Sequence, residues 1–549
     1  MKNISILIAG KAGDGIDKSS LVIGRILAQL GYRVYIYRDY PSVIRGGHTF
    51  SIIRCSEDKI AVHSGRVDVL LALNQEAADL HKARLNDNSL IIYDSDSVKS
   101  DKGMAIPIAG IIKEAKALDM MRNSCIIGAM CKAIGVEKDV LENVFRADMH
   151  REIDLNLKVA FRGFSEAKEF TRIEKIGQKT LPLIAGSDAM SLGLIKAGLK
   201  TYIAYPMTPS SGVLHFLAGK AEELSLKVIH PENEIAVMLM ALGFSYAGDR
   251  VAVGTSGGGF CLMTEGLSFS AMAELPVVIL LGQRPGPSTG LPTYTGQTEL
   301  NFALSAGHGD FCRFVTAPGD PEEAYYWSAV SLNMAWKYQM PAIILCDKTL
   351  NEGTYSFDID AIKKIDDPVV SLWDGKAEYK RYQDTPSGVS PLAFPSAKGA
   401  IVKVDSYEHD EYGVTTEDKD LTVKMQDKRL RKCKYLLEEL EGYETVKVYG
   451  DKNSSTAILF WGSNKGACVE VGVKLGLRIV QPIVFSPFPL RRFKDALKGV
   501  KKIICVENNA TGQLADFVKC RGINVDERIL KYDGRPFSLD ELEQKLTGG

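Results

Sequence analysis

Four short segments of this chain of 549 residues carry the side chains that could do chemistry. They are YPMTPSS with Thr208, ENEIA with Glu234, TSGGG with Ser256 and GQRPGPSTG with Arg284. A carboxylate can accept and return a proton, and a guanidinium can bind a carboxylate through two parallel hydrogen bonds. Consecutive glycines leave the backbone bare, so that a large flat group can approach it closely. Together the four segments predict a binding site for an anion and a flat group.

These segments must be positioned by the strands and helices between residues 181 and 354. Apolar runs predict strands at TYIAYP, RVAVGTS, PVVILLGQ and PAIILCD, with helices between them. This alternation is typical of a parallel sheet, whose ligands bind at the carboxyl ends of the strands. We therefore expect Thr208, Glu234, Ser256 and Arg284 to lie at the same edge of one sheet.

Each segment also has a structural explanation when it is taken singly. Glu234 opens a strongly apolar helix, IAVMLMALGFSYAG, which we expect to be buried, and the helix dipole favours an acid there in any protein. Either Ser210 or Ser211 is expected to cap a helix, while Thr208 faces the ligand. The coincidence of the four segments at one edge is what favours a site.

The whole chain is predicted to have an α/β fold with three α/β domains. They are expected at residues 1–175, 181–354 and 454–549. Residues 355–453 are richer in charge, Pro and Tyr, and we interpret them as an irregular connecting segment with one helix at residues 425–440.

A glycine-rich turn, GKAGDG at residues 10–15, lies between the first predicted strand and the first predicted helix. Backbone N–H groups at such a turn can bind a phosphate, but a tight turn without a ligand explains the same sequence. Arg45, in the later IRGGH segment, would either bind an anion beside this turn or be a surface cation. Both alternatives stay open.

Charge and cysteine content exclude several classes of partner. Lys plus Arg total 67 and Asp plus Glu total 68, so a net charge of -1 gives no reason to expect nucleic acid or a membrane as partner. The start of the chain predicts a strand and not a signal peptide. The 10 cysteines include no C-x-x-C pair, which predicts reduced, packed thiols in a cytoplasmic protein and no iron–sulfur cluster on this chain.

The four segments, in this order, resemble the α subunit of 2-oxoacid:ferredoxin oxidoreductases of the 2-oxoglutarate type, in the form fused to an N-terminal γ domain. The resemblance extends to GKAGDGI and IRGGHTF near the start and to SGVSP, EHDEYG and VKMQDKRLRK in the connecting segment. It continues at WGSNKGA, PFPLRRF and VENNATGQLA. It implies, in order, a γ domain, a thiamine diphosphate pyrimidine-binding domain and a transketolase C-terminal-like domain.

The resemblance implies that this chain supplies the pyrimidine side of a thiamine diphosphate site. Glu234 takes the place of the family's catalytic carboxylate at the aminopyrimidine ring, and Thr208 and Arg284 match positions that hold the 2-oxoacid. The implied reaction is the coenzyme A-dependent oxidative decarboxylation of a 2-oxoacid to an acyl-coenzyme A, with electrons passed to ferredoxin. The residues implied to contact the cofactor are Pro206, Thr208, Glu234, Thr255, Ser256 and Gly257.

The other half of the site is expected on a partner chain. Cofactors of this class bind diphosphate and Mg²⁺ through Gly-Asp-Gly followed closely by Asn-Asn. The one Gly-Asp-Gly, at residues 13–15, has no such pair nearby, and Asn508 and Asn509 lie far along the chain. The resemblance therefore implies no metal here and a β subunit that carries Mg²⁺ and a [4Fe-4S] cluster, in an αβ heterodimer or a dimer of it.

Tyr294 is a departure that bears on the substrate. After GLPT, relatives commonly place a basic residue and then Thr-Glu-Gln, whereas this chain continues Tyr294-Thr295-Gly296-Gln297. If that basic residue binds a distal carboxylate, Tyr294 weakens the case for 2-oxoglutarate and admits aromatic or branched 2-oxoacids. 2-Oxoglutarate stays the favoured substrate. The remaining alternatives are a thiamine enzyme of another reaction type, such as a decarboxylase or a transketolase relative, and a non-catalytic scaffold of the same fold.

Overall fold

The structure, a computed structural model, describes residues 3–42, 46–367 and 369–548, so Arg45 lies outside the described residues. In chain order the strands are β1 (Asn3–Lys11), β2 (Arg33–Asp39), β3 (His48–Ser56), β4 (Val69–Ala72), β5 (Leu90–Asp94), β6 (Met104–Ile106), β7 (Leu183–Ala185), β8 (Thr201–Ala204), β9 (Lys227–Ile229), β10 (Val251–Ser256), β11 (Val277–Gln283), β12 (Phe314–Thr316), β13 (Pro341–Asp347), β14 (Thr354–Ser356), β15 (Val446–Gly450), β16 (Thr456–Phe460), β17 (Arg478–Pro482), β18 (Val484–Ser486), β19 (Lys502–Glu507) and β20 (Glu527–Leu530).

The helices, also in chain order, are α1 (Ile16–Gln29), α2 (Gln75–His81), α3 (Ile108–Ala115), α4 (Arg122–Ala133), α5 (Lys138–Asp148), α6 (Ile153–Glu166), α7 (Gly186–Lys196), α8 (Ser211–Lys220), α9 (Glu234–Tyr246), α10 (Gly257–Met272), α11 (Leu300–Ser305), α12 (Pro321–Tyr338), α13 (Lys348–Glu352), α14 (Lys419–Glu439), α15 (Lys465–Lys474), α16 (Leu490–Ala496), α17 (Gln513–Lys519) and α18 (Leu539–Thr547). No helix in the described part of the chain is long and apolar enough to cross a membrane.

The chain folds into two compact units. The first unit comprises Met1–Ala185, Glu352–Asp358 and Phe537–Gly549, and the second comprises Gly186–Asn351 and Ile359–Pro536. Strands alternate with helices through both units, which confirms the predicted α/β class.

The first unit is built on a sheet in the order β6-β5-β4-β1-β3-β2-β14-β7. Strands β1, β4, β5 and β6 are mutually parallel, whereas β3, β2, β14 and β7 pair in antiparallel fashion. β1 is buried along all but its two end residues, because side chains cover both faces of the sheet.

The GKAGDG turn follows β1 and is closed by its own side chain. Asp14 Oδ2 accepts a hydrogen bond from the backbone N–H of Lys11 at 2.7 Å. Gly13 and Gly15 have φ values of 101° and 74°, which a residue with a Cβ rarely adopts. A carboxylate therefore already uses one of the N–H groups that a phosphate would need, which favours the interpretation as a tight turn.

The second unit contains two sheets that share one hydrophobic core. The larger has the order β18-β12-β13-β11-β10-β8-β9 and is parallel except for β18. The smaller has the order β15-β17-β16-β19-β20 and is parallel except for β15. β10, β11 and β13 are buried along their whole length, as their uninterrupted apolar sequences predict.

The helix of the connecting segment, α14, is fixed to the second unit by a buried charge cluster. Lys428 Nζ lies 2.7 Å from Glu274 Oε1, and Lys432 Nζ contacts Glu274 Oε2, with all three side chains buried. Burial alone would raise the pKa of Glu274, but the charges of Lys428, Lys432 and Arg381 hold it well below its usual range. α14 begins at residue 419, earlier than the predicted 425, because Asp418 caps it through the N–H groups of residues 420 and 421.

One expectation about the cysteines is wrong. Cys312 and Cys433 form a disulfide across a sequence separation of 121 residues, with their Cα atoms 5.8 Å apart. The contact arises because α14 packs its Cys433 face against the segment that precedes β12. The other eight cysteines are free, and all of them except Cys261 and Cys520 are buried, as predicted.

Candidate active site at the carboxyl edge of the larger sheet

Neighbouring parallel strands of the second unit end side by side. Ser256, the last residue of β10, is paired with Gly282 of β11, and Gln283, the last of β11, is paired with Asp347 at the end of β13. β8, on the other side of β10, ends at Ala204. The predicted segments that follow β8, β10 and β11 therefore emerge at the same edge.

Thr208 and Arg284 are brought together at this edge. Arg284 Nη1 donates a hydrogen bond to the backbone oxygen of Thr208 at 3.0 Å, which links the loops that follow β8 and β11. Thr208 is half-buried and Arg284 is 9% exposed. Burial lowers the pKa of the Arg284 guanidinium, while the charge of Glu299 acts in the opposite direction.

The hydroxyls of Thr255 and Ser256 are buried and lie against the first of these loops. Each donates to the sulfur of Met207 at 3.7 Å. Ser210 stands at the N-cap position of α8, but its hydroxyl donates to the backbone oxygen of Met207 at 2.8 Å, so neither it nor Ser211 caps the helix through its side chain. Pro206 is exposed.

Glu234 is the first residue of α9 and lies beside the glycine turn that follows β10. Asn233 caps the helix by accepting the N–H of Ala236 at 2.9 Å, which leaves the Glu234 side chain free to point away from the cap. A methyl group on Gly259 would lie 2.5 Å from Glu234 Oε1 and 2.2 Å from Thr255 Oγ1, so a side chain at this position would displace Glu234 or Thr255.

The Glu234 carboxylate is 6% exposed and forms no hydrogen bond or ion pair with any residue that the structure describes. Neither carboxylate oxygen is completely buried, so both can accept a hydrogen bond from a ligand. The carboxylate is an unpaired hydrogen-bond acceptor beside a bare glycine turn. This arrangement fits a flat ring that donates a hydrogen bond. The geometry therefore suits the pyrimidine side of thiamine diphosphate.

The prediction that α9 is buried holds for only one of its faces. Ile235, Leu239 and Met240 are 47%, 50% and 38% exposed, and Leu262 on α10 is 49% exposed. The sequence did not reveal this face, because an all-round apolar helix gives no periodic signal.

Glu299 is a site residue that the sequence did not indicate. It lies just before α11, is 7% exposed, and its Oε1 accepts the hydroxyl of Thr298 at 2.8 Å. Burial raises the pKa of Glu299 from its ordinary value of 4.5 to about 7, although the Thr298 hydrogen bonds and the charge of Arg284 act to lower it. Nothing in the run Thr298-Glu299-Leu300 distinguishes this acid from a surface residue.

The loop that contains Tyr294 is held by the smaller sheet. Gln297 Nε2 donates to the backbone oxygen of Trp461 at 2.8 Å, and Gln297 Oε1 accepts from Asn464 Nδ2 and from the N–H of Asn508. Asn509 Nδ2 donates to the Gln297 backbone oxygen at 3.0 Å. The WGSN and VENN segments thus position the loop that contains Tyr294, and Asn508 and Asn509 both bond to Gln297.

Two family models match the chain. Residues 192–428 match the thiamine diphosphate-binding model described as "Pyruvate flavodoxin/ferredoxin oxidoreductase, thiamine diP-bdg". Residues 5–166 match "Pyruvate ferredoxin/flavodoxin oxidoreductase". The first of these contains all four segments of the site.

Full-length relatives agree with these matches. The chain is 31% identical to 2-oxoacid:ferredoxin oxidoreductase subunit alpha of Saccharolobus solfataricus, over 99% of this chain and 97% of that protein. It is 25% identical to 2-oxoglutarate oxidoreductase subunit KorA of Mycobacterium tuberculosis, over 99% of this chain and 91% of that protein.

A solved structure shares the fold throughout. It is the 2-oxoglutarate:ferredoxin oxidoreductase of Magnetococcus marinus with 2-oxoglutarate, coenzyme A and succinyl-CoA bound, and it matches with a TM-score of 0.91 at 28% identity, over 100% of this chain and 99% of that one. The matched segments, the site geometry and the full-length identity lead to one conclusion: the chain belongs to the family of 2-oxoacid:ferredoxin oxidoreductase α subunits.

Proposed function

We propose that this chain forms the pyrimidine half of a thiamine diphosphate site that oxidatively decarboxylates a 2-oxoacid, with 2-oxoglutarate as the favoured substrate. The acyl group passes to coenzyme A and the electrons pass to ferredoxin. The observation that carries the proposal is the buried Glu234 carboxylate, which has no partner among the described residues and lies beside the bare backbone of Gly259.

Glu234 would hold the aminopyrimidine ring by accepting a hydrogen bond from it, and would take or return the shared proton. Pro206, Thr208, Thr255, Ser256 and Gly257 are the other residues that we assign to the cofactor. When bound, thiamine diphosphate supplies the nucleophile for the 2-oxo carbon and an electron sink for decarboxylation.

Arg284 and Thr208 would bind the carboxylate of the 2-oxoacid. The Arg284 guanidinium is already fixed by its bond to the Thr208 backbone, so little side-chain freedom is lost when substrate binds. Nearly complete burial removes competing water and increases the attraction between Arg284 and an anion.

The choice of 2-oxoglutarate is supported by a cation next to Tyr294. The Arg535 guanidinium lies over the Tyr294 ring, 4.2 Å from its centroid, and the backbone oxygen of Gly534 accepts the N–H of Thr295 at 2.9 Å. Where relatives carry a basic residue in the loop itself, this chain has an aromatic ring with a guanidinium stacked on it. A second carboxylate on the substrate would find its counter-charge in Arg535.

A partner β subunit would complete the site with the diphosphate-binding residues, Mg²⁺ and a [4Fe-4S] cluster, in an αβ heterodimer or a dimer of it. The exposed apolar face of α9 and α10 supports this assembly, because Ile235 and Leu239 lie within the first two turns of α9, close to Glu234. Apolar patches next to a site are typical of protein interfaces. A non-catalytic scaffold is the alternative, but it would gain nothing from an unpaired buried carboxylate.

The substrate is tested with the complex of this chain and its β partner, purified without oxygen. Coenzyme A-dependent viologen reduction is measured with 2-oxoglutarate, pyruvate, indolepyruvate and 2-oxoisovalerate. Loss of one charged hydrogen bond costs about 1.5–3 kcal/mol, so Arg535→Gln should raise KM for 2-oxoglutarate about 10- to 100-fold and leave KM for a monocarboxylate unchanged. Arg491→Gln, at an exposed arginine of the same unit, is the matched control.

Preference of the wild-type complex for indolepyruvate or 2-oxoisovalerate would favour the aromatic or branched alternative. Equal effects of Arg535→Gln on mono- and dicarboxylic substrates would reject Arg535 as the distal anchor.

A further inference from the structure

Glu299 has one carboxyl oxygen that the protein leaves unpaired. Oε1 accepts the Thr298 hydroxyl, whereas Oε2 is buried and has no hydrogen-bond partner among the described residues. The backbone N–H of Glu299 donates to Gln283 Oε1 at 3.3 Å, which fixes the residue against the end of β11. Buried polar atoms normally have a hydrogen-bond partner, so the unpaired oxygen calls for an explanation.

The Glu299 carboxyl lies on the same glycine turn as the Glu234 carboxylate. A methyl group on Gly257 would lie 2.5 Å from Glu299 Oε1, just as one on Gly259 would lie 2.5 Å from Glu234 Oε1. The first three residues of α10 are glycines, and a carboxyl group packs against the first of them and another against the third. Glu299 therefore belongs to the lining of the site.

The hydroxyl of Thr298 links Glu299 to the backbone of Arg284. The Thr298 hydroxyl lies within hydrogen-bonding distance of both Glu299 Oε1, at 2.8 Å, and the backbone oxygen of Arg284, at 3.2 Å. The charged groups that act on Glu299 are Arg284, at the end of β11, and Asp347, at the end of β13. No ion pair joins Glu299 to Arg284 within the described part of the chain, so the guanidinium is not neutralised by it.

We propose that Glu299 is a positioning residue for the 2-oxoacid: in its neutral form it leaves the charge of Arg284 available to the substrate carboxylate, and its ionisation weakens substrate binding. This inference rests on the proposed function, since it assigns the substrate carboxylate to Arg284.

The direction of the pH dependence follows from the sign of the charge. As the pH rises through about 7, Glu299 becomes an anion that competes with the substrate for the field of Arg284. With a midpoint of about 7, the neutral fraction of Glu299 falls from about 0.9 at pH 6 to about 0.1 at pH 8. If the neutral form is the binding form, the dissociation constant of the 2-oxoacid rises about tenfold over the same range. kcat should change little, because Glu234 and not Glu299 handles the proton at the cofactor.

The test uses the αβ complex and two readouts. Calorimetry without thiamine diphosphate measures the dissociation constant of 2-oxoglutarate from pH 6 to pH 8, and steady-state assays with the cofactor measure KM and kcat over the same range. Wild type should show the tenfold rise in both the dissociation constant and KM. Glu299→Gln should hold the low value throughout, and Glu265→Gln, at an exposed acid on α10, should behave like wild type.

A second variant keeps the carboxyl group and tests the same idea. Thr298→Val removes the hydroxyl that stabilises the Glu299 anion, so the midpoint of the rise should move to higher pH. An unchanged profile in both Glu299→Gln and Thr298→Val overturns the inference. If the complex turns over 2-oxoglutarate but the wild-type dissociation constant does not rise with pH, only the role of Glu299 is rejected. If calorimetry shows the expected rise but the complex has no activity, the role of Glu299 is supported and the proposed function is rejected.

Discussion

Glu299→Gln should stabilise the second unit near pH 8 and do so progressively less as the pH falls toward 5. Burial raises the pKa of Glu299 from 4.5 to about 7 in the folded chain, and unfolding restores the ordinary value. Between these two values the folded state keeps a proton that the unfolded state has released, so the free energy of unfolding falls as the pH rises. At about 1.4 kcal/mol per pH unit, this interval of about 2.5 pH units corresponds to about 3.5 kcal/mol. Glutamine does not titrate and escapes that loss.

Tryptophan fluorescence during urea unfolding is a suitable assay. All four tryptophans lie in the same unit as Glu299; they are Trp327, Trp336, Trp373 and Trp461. The difference in unfolding free energy between Glu299→Gln and wild type should grow by about 2.5 kcal/mol from pH 5 to pH 8, because the rest of the effect lies below pH 5. Glu265→Gln, an exposed substitution on α10, controls for the loss of a charge.

A difference that is constant with pH, or one that shrinks as the pH rises, would refute the reasoning. Either result would mean that Glu299 ionises in the folded chain as readily as in water, so that its burial and its unpaired oxygen have no energetic consequence.

Three further predictions concern the rest of the second unit. Glu274→Gln leaves two lysines of α14 without their counter-charge and should lower the free energy of unfolding by about 3–5 kcal/mol, measured by urea unfolding; an unchanged midpoint would contradict the buried cluster. Gly259→Ala forces a methyl group against Glu234 and should abolish viologen reduction while the complex still assembles, as size-exclusion chromatography would show; activity near wild type would contradict the close approach. Thiol titration of the unfolded, unreduced chain should count eight thiols, whereas ten would exclude the bond between Cys312 and Cys433.

The edge of the larger sheet could be predicted because its strands are long and uniformly apolar. β10, β11 and β13 appear in the sequence as uninterrupted apolar runs, and parallel strands bring their carboxyl ends together. Arg284 and Thr208 meet there as this rule requires. The rule fixes which residues reach the edge but not which atoms touch, so the bond from Arg284 to a backbone oxygen was not foreseen.

The sequence gives little indication of features that depend on contacts between distant segments. β7 and β14 have three residues each, which is too few for a periodic pattern. β14 joins the sheet of the first unit by antiparallel pairing with β2, and β7 pairs with β14 in the same way. The disulfide depends on how α14 packs, and 121 residues separate its cysteines. Glu299 becomes a buried acid only in the folded chain, where it packs against Gly257 and its N–H bonds to Gln283.

The central claim is that Glu234 binds and activates thiamine diphosphate. Its most direct test is to measure, in the αβ complex, the affinity for thiamine diphosphate by calorimetry and the coenzyme A-dependent oxidation of 2-oxoglutarate, in wild type, Glu234→Gln and Glu232→Gln. Glu232 is exposed and lies two residues away, so it controls for charge near the start of α9. We predict that Glu234→Gln loses at least about 100-fold in kcat, within the range by which a positioned acid or base contributes, while Glu232→Gln keeps wild-type affinity and rate. A Glu234→Gln complex as active as wild type would contradict the account.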